Sequence, residues 1–141
     1  MTRYVIDTSV AIKWFLPLKA EEDNVTEALQ ILDRFMLGDI ECYQPPHFIV
    51  EVMGVLTRLR PEKAAANLTD LLNMDFHRVE TSSCYARASA LSVELNHHTF
   101  DTLFHAVALE TPKTTLITAD EKYYRKAQSL GRIMFLQDYQ E

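Results

Sequence analysis

Short runs of β-branched and aromatic residues alternate with longer amphipathic stretches along this chain. The runs at 4–6, 40–43, 78–79, 114–118 and 133–135 predict strands. Between them, apolar residues recur three and four positions apart, which is the period of a helix with one buried face. This spacing predicts helices at 9–16, 22–37, 47–60, from 61 onward, 83–95, 100–108 and 120–130, with loops at 18–24 and 96–99. Strands that alternate with helices favour an α/β fold built on a parallel sheet.

Individual residues predict some boundaries and buried faces. Ser9 is expected to cap the first helix, and Pro17 is expected to stop it. The helix at 83–95 is expected to bury part of Val93, and the helix at 100–108 is expected to place Phe100 on its apolar face.

Two of the predicted strands lead directly to an aspartate. Asp7 follows the run at 4–6, and Asp120 follows the run at 114–118 after one alanine. Open α/β sheets bind ligands at the carboxyl ends of their strands. The pattern therefore predicts that two carboxylates meet at one edge of the sheet.

Two further acids stand in settings that could point them to the same edge. Glu51 neighbours Phe48, Val52 and Val55 on its predicted helix, so it borders the apolar face. Asp101 lies in the first turn of the helix that follows the loop at 96–99. Each acid also has an ordinary structural explanation: Asp120 as a helix cap, Asp101 as a partner of the helix dipole, and Glu51 as the partner of a basic side chain.

A convergence of these four acids would have a definite chemical meaning. Carboxylates held within a few ångströms repel one another and raise their own pKa values. A hard divalent cation such as Mg²⁺ or Mn²⁺ removes that repulsion, prefers oxygen ligands and activates water against a phosphodiester. The glycine-rich phosphate-binding motifs GxGxxG and GxxxxGK[ST] are absent from the sequence.

Composition sets broader limits on the protein. A chain of 141 residues fits one domain, which we expect to span 1–141. The net charge of −6 does not suit a protein that grips nucleic acid with its whole surface. Cys42 and Cys84 have no metal-ligand spacing, so we expect a reduced, cytoplasmic protein with no secretion signal and no membrane span.

Four motifs together resemble one known family. They run from Val5 to Pro17, from Pro45 to Val52, from Phe100 to Phe104, and from Leu116 to Asp120. In this order they resemble the PIN-domain ribonucleases, and specifically the VapC-type toxins of toxin–antitoxin pairs. The match spans nearly the whole chain, and its first motif is the most specific.

The resemblance implies a three-layer α/β/α fold around a parallel sheet of about five strands. It implies a catalytic metal pocket formed by Asp7, Glu51, Asp101 and Asp120, with Thr118 as a polar, substrate-binding pocket residue. It also implies Mg²⁺- or Mn²⁺-dependent hydrolysis of RNA, a homodimer, and an antitoxin that covers the pocket. The chain departs from the family where Gly54, Thr102 and Phe104 replace a common Asn, Ala and Tyr.

Several basic residues have both a functional and a structural explanation. Lys13 could steer a phosphate into the pocket, although a solvated side chain is favoured. Arg58, Arg60 and Lys63 could hold an RNA backbone or form a solvated face. Three histidines invite a metal interpretation, but a structural role is favoured for them: His97, His98 and His105.

The leading hypothesis is a metal-dependent endoribonuclease that acts as a toxin and is inhibited by an antitoxin with a basic tail. The alternatives are a PIN-domain RNA-processing nuclease without an antitoxin, and a non-catalytic α/β module whose acidic pocket binds a basic peptide. A receiver-type phosphoacceptor domain would need a lysine after the last strand, and residues 133–141 contain none.

Overall fold

The computed structural model describes residues 1–16 and 24–140. The strands are β1 (Thr2–Ile6), β2 (Ile40–Gln44), β3 (His77–Arg78), β4 (Thr114–Thr118) and β5 (Ile133–Phe135). All five are parallel and form one sheet in the order β3-β2-β1-β4-β5. The prediction of a parallel α/β sheet is therefore confirmed.

Helices flank the sheet and complete the three-layer α/β/α architecture. Short 3₁₀ turns at Ile12–Trp14, Gln128–Leu130 and Leu136–Asp138 follow the first helix, the last helix and the last strand. None of the helices within the described ranges is long and apolar enough to cross a membrane. The helices are α1 (Thr8–Ala11), α2 (Val25–Met36), α3 (Phe48–Leu59), α4 (Ala64–Leu72), α5 (Ser82–Leu95), α6 (Thr99–Glu110) and α7 (Glu121–Ala127).

The neighbouring strands β1 and β4 have buried apolar residues up to the sheet edge where the acids lie. Val5 and Ile6 are fully buried on β1, and Ile117 is fully buried beside them on β4. Such continuous apolar runs are typical of strands covered on both faces. The Asp7 amide N–H donates to the Ile117 carbonyl at 3.0 Å, so the ladder continues until the chain reaches Asp7.

A buried glutamine at the end of β2 binds the end of β1 on its other side. The Gln44 side chain accepts from the Ile6 amide at 2.7 Å and donates to the Ile6 carbonyl at 2.8 Å. Both backbone groups would otherwise be buried without partners at the end of the strand. The end of β1 is thus fixed from both neighbouring strands immediately before Asp7.

The first helix differs from its predicted form. It is a four-residue α-helix continued by the 3₁₀ turn, and its cap is Asp7 instead of Ser9. The Asp7 carboxylate accepts from the Ser9 amide two residues later, so the helix begins at Thr8. The predicted stop at Pro17, most of the predicted loop at 18–24 and the predicted start of the next helix at 22 lie outside the described residues.

Two apolar side chains are more exposed than their helical spacing predicted. Phe100 is 59% exposed and Val93 is 83% exposed. Phe100 lies in the first turn of α6, whereas the buried stretch of that helix runs from 102 to 108, where α5 and the sheet cover it. Helical periodicity identifies the facing side of a helix but not how far the neighbouring elements reach along it.

Candidate active site

The four acids converge on a single cleft of about 420 Å³. Asp7 follows β1, Asp120 follows β4, Glu51 lies in α3, and Asp101 lies in the first turn of α6. Ten residues line the cleft: Asp7, Thr8, Ser9, Val50, Glu51, Gly54, Val55, Arg58, Asp101 and Asp120. The structure therefore brings together all four acids that the sequence singled out.

Asp7 is the most buried of these acids, with 8% of its surface exposed. Its pKa is raised to about 7, mainly by burial and also by the charges of Asp101 and Glu51, while hydrogen bonds from Ser9 oppose the shift. The nearby negative charges show that the acids share one electrostatic environment. A carboxyl group in this position is ready to bind a positive charge.

Two hydroxyl groups hold Asp7 to the loop that carries Asp120. Ser9 Oγ donates to Asp7 Oδ2 at 2.5 Å and accepts from the Ala119 amide at 2.9 Å. Thr118 Oγ1 donates to the same Asp7 oxygen at 3.3 Å and accepts from the Asp120 amide at 3.1 Å. Thr118 is buried, so its geometry is that of a residue positioning two acids, and its direct contact with substrate stays a prediction.

Glu51 is held by a residue of α1. Thr8 Oγ1 donates to Glu51 Oε1 at 2.8 Å, and His47 Nε2 lies 3.8 Å from the same oxygen. His47 Nε2 also bonds to the Phe100 carbonyl at 2.7 Å, which ties α3 to the start of α6. These contacts fix the helix that carries Glu51 against the helix that carries Asp101.

Asp120 combines two roles that the sequence left as alternatives. Its Oδ1 accepts from the Tyr123 amide at 3.1 Å, so it caps α7 as its residue type suggested. It also lines the cleft. In the described part of the chain the second carboxylate oxygen makes no hydrogen bond, which leaves it available to a ligand.

Among the described residues, histidines approach two of the cleft acids, but lysines and arginines do not neutralise them. Over residues 1–16 and 24–140, no lysine or arginine comes within ion-pair distance of any of the four acids. Arg58 lines the cleft but forms no ion pair with a described acid. Lys13 does not line this cleft; it borders a neighbouring depression with Asn24 and Glu121.

Two of the three departures from the family pattern lie away from the cleft. Thr102 is fully buried and donates to the Ala88 carbonyl at 2.8 Å, and Phe104 packs edge-on against Phe48. Only Gly54 lines the cleft, where an added Cβ would meet nothing within 4 Å. The local change at Gly54 is therefore extra open space on the α3 side.

Several residues that touch the acids were not predicted from the sequence. Thr8 was not singled out and Ser9 was considered only as a helix cap, although a hydroxyl next to a strand-end aspartate is a recognisable signal for a capping contact. His97, four residues before Asp101, had the spacing of a helical pair. His105 is structural, as expected: it is fully buried between the Tyr123 hydroxyl and the Gly131 carbonyl.

A parallel α/β/α sheet with a cluster of four carboxylates at its carboxyl edge defines a class of acidic-cleft proteins suited to hard cations. The PIN domain family model matches residues 4–129. The chain belongs to the PIN domain family. Comparison with curated protein sequences finds no match.

Solved structures with a similar fold include complexes from three bacteria. A toxin–antitoxin complex from Klebsiella pneumoniae has a TM-score of 0.66 at 17% identity, covering 98% of this chain and 99% of that one. VapBC2 from Rickettsia felis, bound to a promoter DNA fragment, has a TM-score of 0.63 at 14% identity, covering 95% and 97%. VapBC-1 from nontypeable Haemophilus influenzae has a TM-score of 0.66 at 12% identity, covering 97% and 100%. At these identities the similarity concerns the fold.

Proposed function

We propose that this protein is a divalent-metal-dependent endoribonuclease that hydrolyses RNA phosphodiester bonds and acts as the toxin of a toxin–antitoxin pair. The observation that carries the proposal is the convergence of Asp7, Glu51, Asp101 and Asp120 on one cleft, where no described lysine or arginine forms an ion pair with them. Membership of the PIN domain family supports the nuclease class. Residues 1–141 would form one catalytic domain.

The donor set fits a hard cation such as Mg²⁺ or Mn²⁺. All four candidate ligands are carboxylates, which are the oxygen donors that these ions prefer. The raised pKa of Asp7 reflects burial together with the charges of Asp101 and Glu51, and a bound cation would offset both. When bound, such an ion supplies charge neutralisation at the phosphate and a more acidic water molecule.

The residues of the chain prepare the cleft before any ligand arrives. Ser9 and Thr118 fix the Asp7 carboxylate, and Thr8 fixes Glu51. The Asp120 carboxylate is held by its capping bond to the first turn of α7. Side chains locked in this way need little reorganisation when the transition state forms, which is the main source of electrostatic catalysis.

The direct test uses the purified protein with a structured RNA in Mn²⁺, in Mg²⁺ and in EDTA. We expect cleavage with either metal, complete loss in EDTA, and recovery when excess metal is restored. A single-stranded DNA of matching sequence serves as the control substrate. Tight binding of basic peptides without cleavage in either metal would favour the non-catalytic interaction module instead.

Arg58 is expected to bind the RNA backbone next to the scissile phosphate. It lines the acidic cleft and forms no ion pair with a described acid, so its guanidinium is available to a phosphate. We expect Arg58→Ala to raise KM about 3- to 10-fold with kcat little changed, and to reduce the salt slope of RNA binding by roughly one. Arg125→Ala is the matched control, because Arg125 is an exposed cation paired with Glu121. Equal effects of the two changes on KM would contradict a role for Arg58.

The proposed antitoxin is a small protein with a basic tail. Two of the structural neighbours are VapBC assemblies, and a third is a toxin–antitoxin complex. An arginine guanidinium placed among the four carboxylates would make bidentate, charge-assisted hydrogen bonds where a cation otherwise binds. We also propose that the toxin is a cytoplasmic homodimer; Cys42 and Cys84 are both buried and unpaired, which suits a reducing compartment.

The presence of an inhibiting partner distinguishes the toxin hypothesis from the hypothesis of an RNA-processing nuclease. A short neighbouring reading frame that encodes a DNA-binding head and an arginine-bearing tail supports the toxin. RNA cleavage that no such partner inhibits would support the processing enzyme.

A further inference from the structure

His97 connects the cleft to a lysine on another helix. His97 Nε2 lies 2.6 Å from Asp101 Oδ2, and Lys126 Nζ of α7 lies 3.3 Å from His97 Nδ1. Lys126 Nζ also donates to the Asn96 carbonyl at 3.0 Å, which holds it in this position. The His97 side chain is 6% exposed, so water has little access to the contact.

The backbone around His97 is fixed by the end of α5. Asn96 adopts a left-handed conformation with φ of 50°, which turns the chain back at the helix C-terminus. The His97 amide donates to the Ser92 carbonyl at 3.1 Å, and the Ser92 hydroxyl donates to the His97 carbonyl. The imidazole also packs edge-on against Tyr123, with ring centroids 5.0 Å apart.

These contacts select one tautomer of the imidazole. An ammonium group has donors and no acceptor, so His97 Nδ1 facing Lys126 must be the accepting nitrogen. In a neutral imidazole the proton then resides on Nε2, which faces Asp101 Oδ2. His97 therefore donates its Nε2–H to the Asp101 carboxylate. The contact of Lys126 with Nδ1 keeps the ring proton on Nε2.

We propose that His97 is a positioning residue that fixes the Asp101 carboxylate for metal binding, and that Lys126 sets the His97 tautomer. The inference rests on the proposed function of the acidic cleft, because it assigns Asp101 a ligand's role. A carboxylate held by an oriented donor keeps one oxygen engaged and presents the other in a fixed direction. Partners of this kind change metal affinity by about 10- to 100-fold when they are removed.

The residues around His97 could instead form a transition-metal site. The contacts of His97 argue against this alternative. His97, His98 and Asp101 place one ligand atom each within 4.8 Å of one another. A metal on His97 would need the lone pair of Nε2, which would place the ring proton on Nδ1, directly facing the Lys126 ammonium. The observed lysine contact favours the donor to Asp101 over the metal ligand.

The test measures tautomer and metal affinity, both without RNA. In the metal-free protein, ¹⁵N NMR of the histidine side chains should show His97 as the Nε2–H tautomer at neutral pH. By calorimetry, we expect His97→Ala to weaken Mn²⁺ binding about 10-fold or more. His97→Gln should stay within about threefold of wild type, because its amide group can donate from a similar position.

Lys126→Met tests the second step without changing a residue next to the cleft. It should shift His97 toward a mixture of tautomers and weaken Mn²⁺ binding severalfold, by less than His97→Ala does. Lys122→Met is the matched control, since Lys122 is an exposed lysine of the same helix, and it should change neither measurement. If His97→Ala folds poorly, the tautomer state and Mn²⁺ affinity of Lys126→Met and His97→Gln test the proposal.

Three results would overturn the inference. The first is an Nδ1–H tautomer in the wild type, and the second is unchanged Mn²⁺ affinity in folded His97→Ala. The third is stoichiometric Zn²⁺ binding that both His97→Ala and His98→Ala abolish, which would make the cluster a metal site. Absence of Mn²⁺ binding by the wild type would instead refute the proposed function, and the role of Asp101 with it.

Discussion

Asp101→Asn is expected to lower metal-dependent RNA cleavage by at least ~100-fold while leaving the fold intact. The change removes one of the four carboxylates from the cleft but keeps the size of the side chain. Its amide oxygen can still accept from His97 Nε2, so the start of α6 keeps its contact. Loss of a ligand should cost at least as much as loss of a ligand's hydrogen-bond partner, which costs ~10- to 100-fold.

The measurement is single-turnover cleavage at saturating Mn²⁺, with a thermal melt of each variant to establish folding. Asp75→Asn is the matched control, because Asp75 is an exposed acid that does not line the cleft. We expect the control to cleave like the wild type. Near-wild-type cleavage by a folded Asp101→Asn variant would show that the cleft is not the catalytic site.

Asp7→Asn is expected to make the metal-free protein more stable at neutral and alkaline pH. The pKa of Asp7 is raised from 3.8 to about 7, mainly because the carboxyl group is buried. Between these values the folded protein holds a proton that the unfolded chain has released, so stability falls as the pH rises from about 4 through 7. A neutral amide at this position removes that loss.

The gain at pH 8 should be on the order of 3 kcal/mol, which corresponds to a rise in Tm of roughly 10 °C for a domain of this size. At pH 4 the two proteins should melt at nearly the same temperature, because Asp7 is protonated in the folded state there. The helix cap should survive in both, since asparagine caps helices about as well as aspartate. Thermal melts in EDTA from pH 4 to 8 test this, and a less stable asparagine variant at pH 8 would show that the charged form of Asp7 is needed by the fold.

Added Mn²⁺ should reverse part of this difference. An ion that binds only the folded state stabilises it by about 2.7 kcal/mol at a concentration one hundred times Kd. The wild type should gain this stabilisation, and Asp7→Asn should gain less because it lacks one of the proposed ligands. Melts of both proteins with and without Mn²⁺ check the ranking, with Asp75→Asn again as the control. A wild type whose Tm does not respond to Mn²⁺ would indicate that the cleft holds no metal.

Local sequence determined that Asp7 and Asp120 follow the ends of strands. The runs at 4–6 and 114–118 form neighbouring parallel strands, so the residues that follow them necessarily reach the same edge of the sheet. The order of strands and helices could also be predicted from the sequence, because hydrophobic periodicity depends only on the geometry of each element. Boundaries were predicted less accurately: β3 begins one residue earlier than predicted, and α1 is shorter.

Tertiary structure alone decided how Glu51 and Asp101 reach the cleft and what holds them there. Their positions depend on the packing of α3 and α6, and on contacts such as Thr8 with Glu51, which are 43 residues apart in the chain. The link from Lys126 to His97 joins residues 29 positions apart, and exposed Phe100 reflects where α5 and the sheet stop covering α6. Sequence periodicity records which side of an element is apolar, whereas these contacts depend on the relative placement of whole elements, which is set by the sum of many packing interactions across the core.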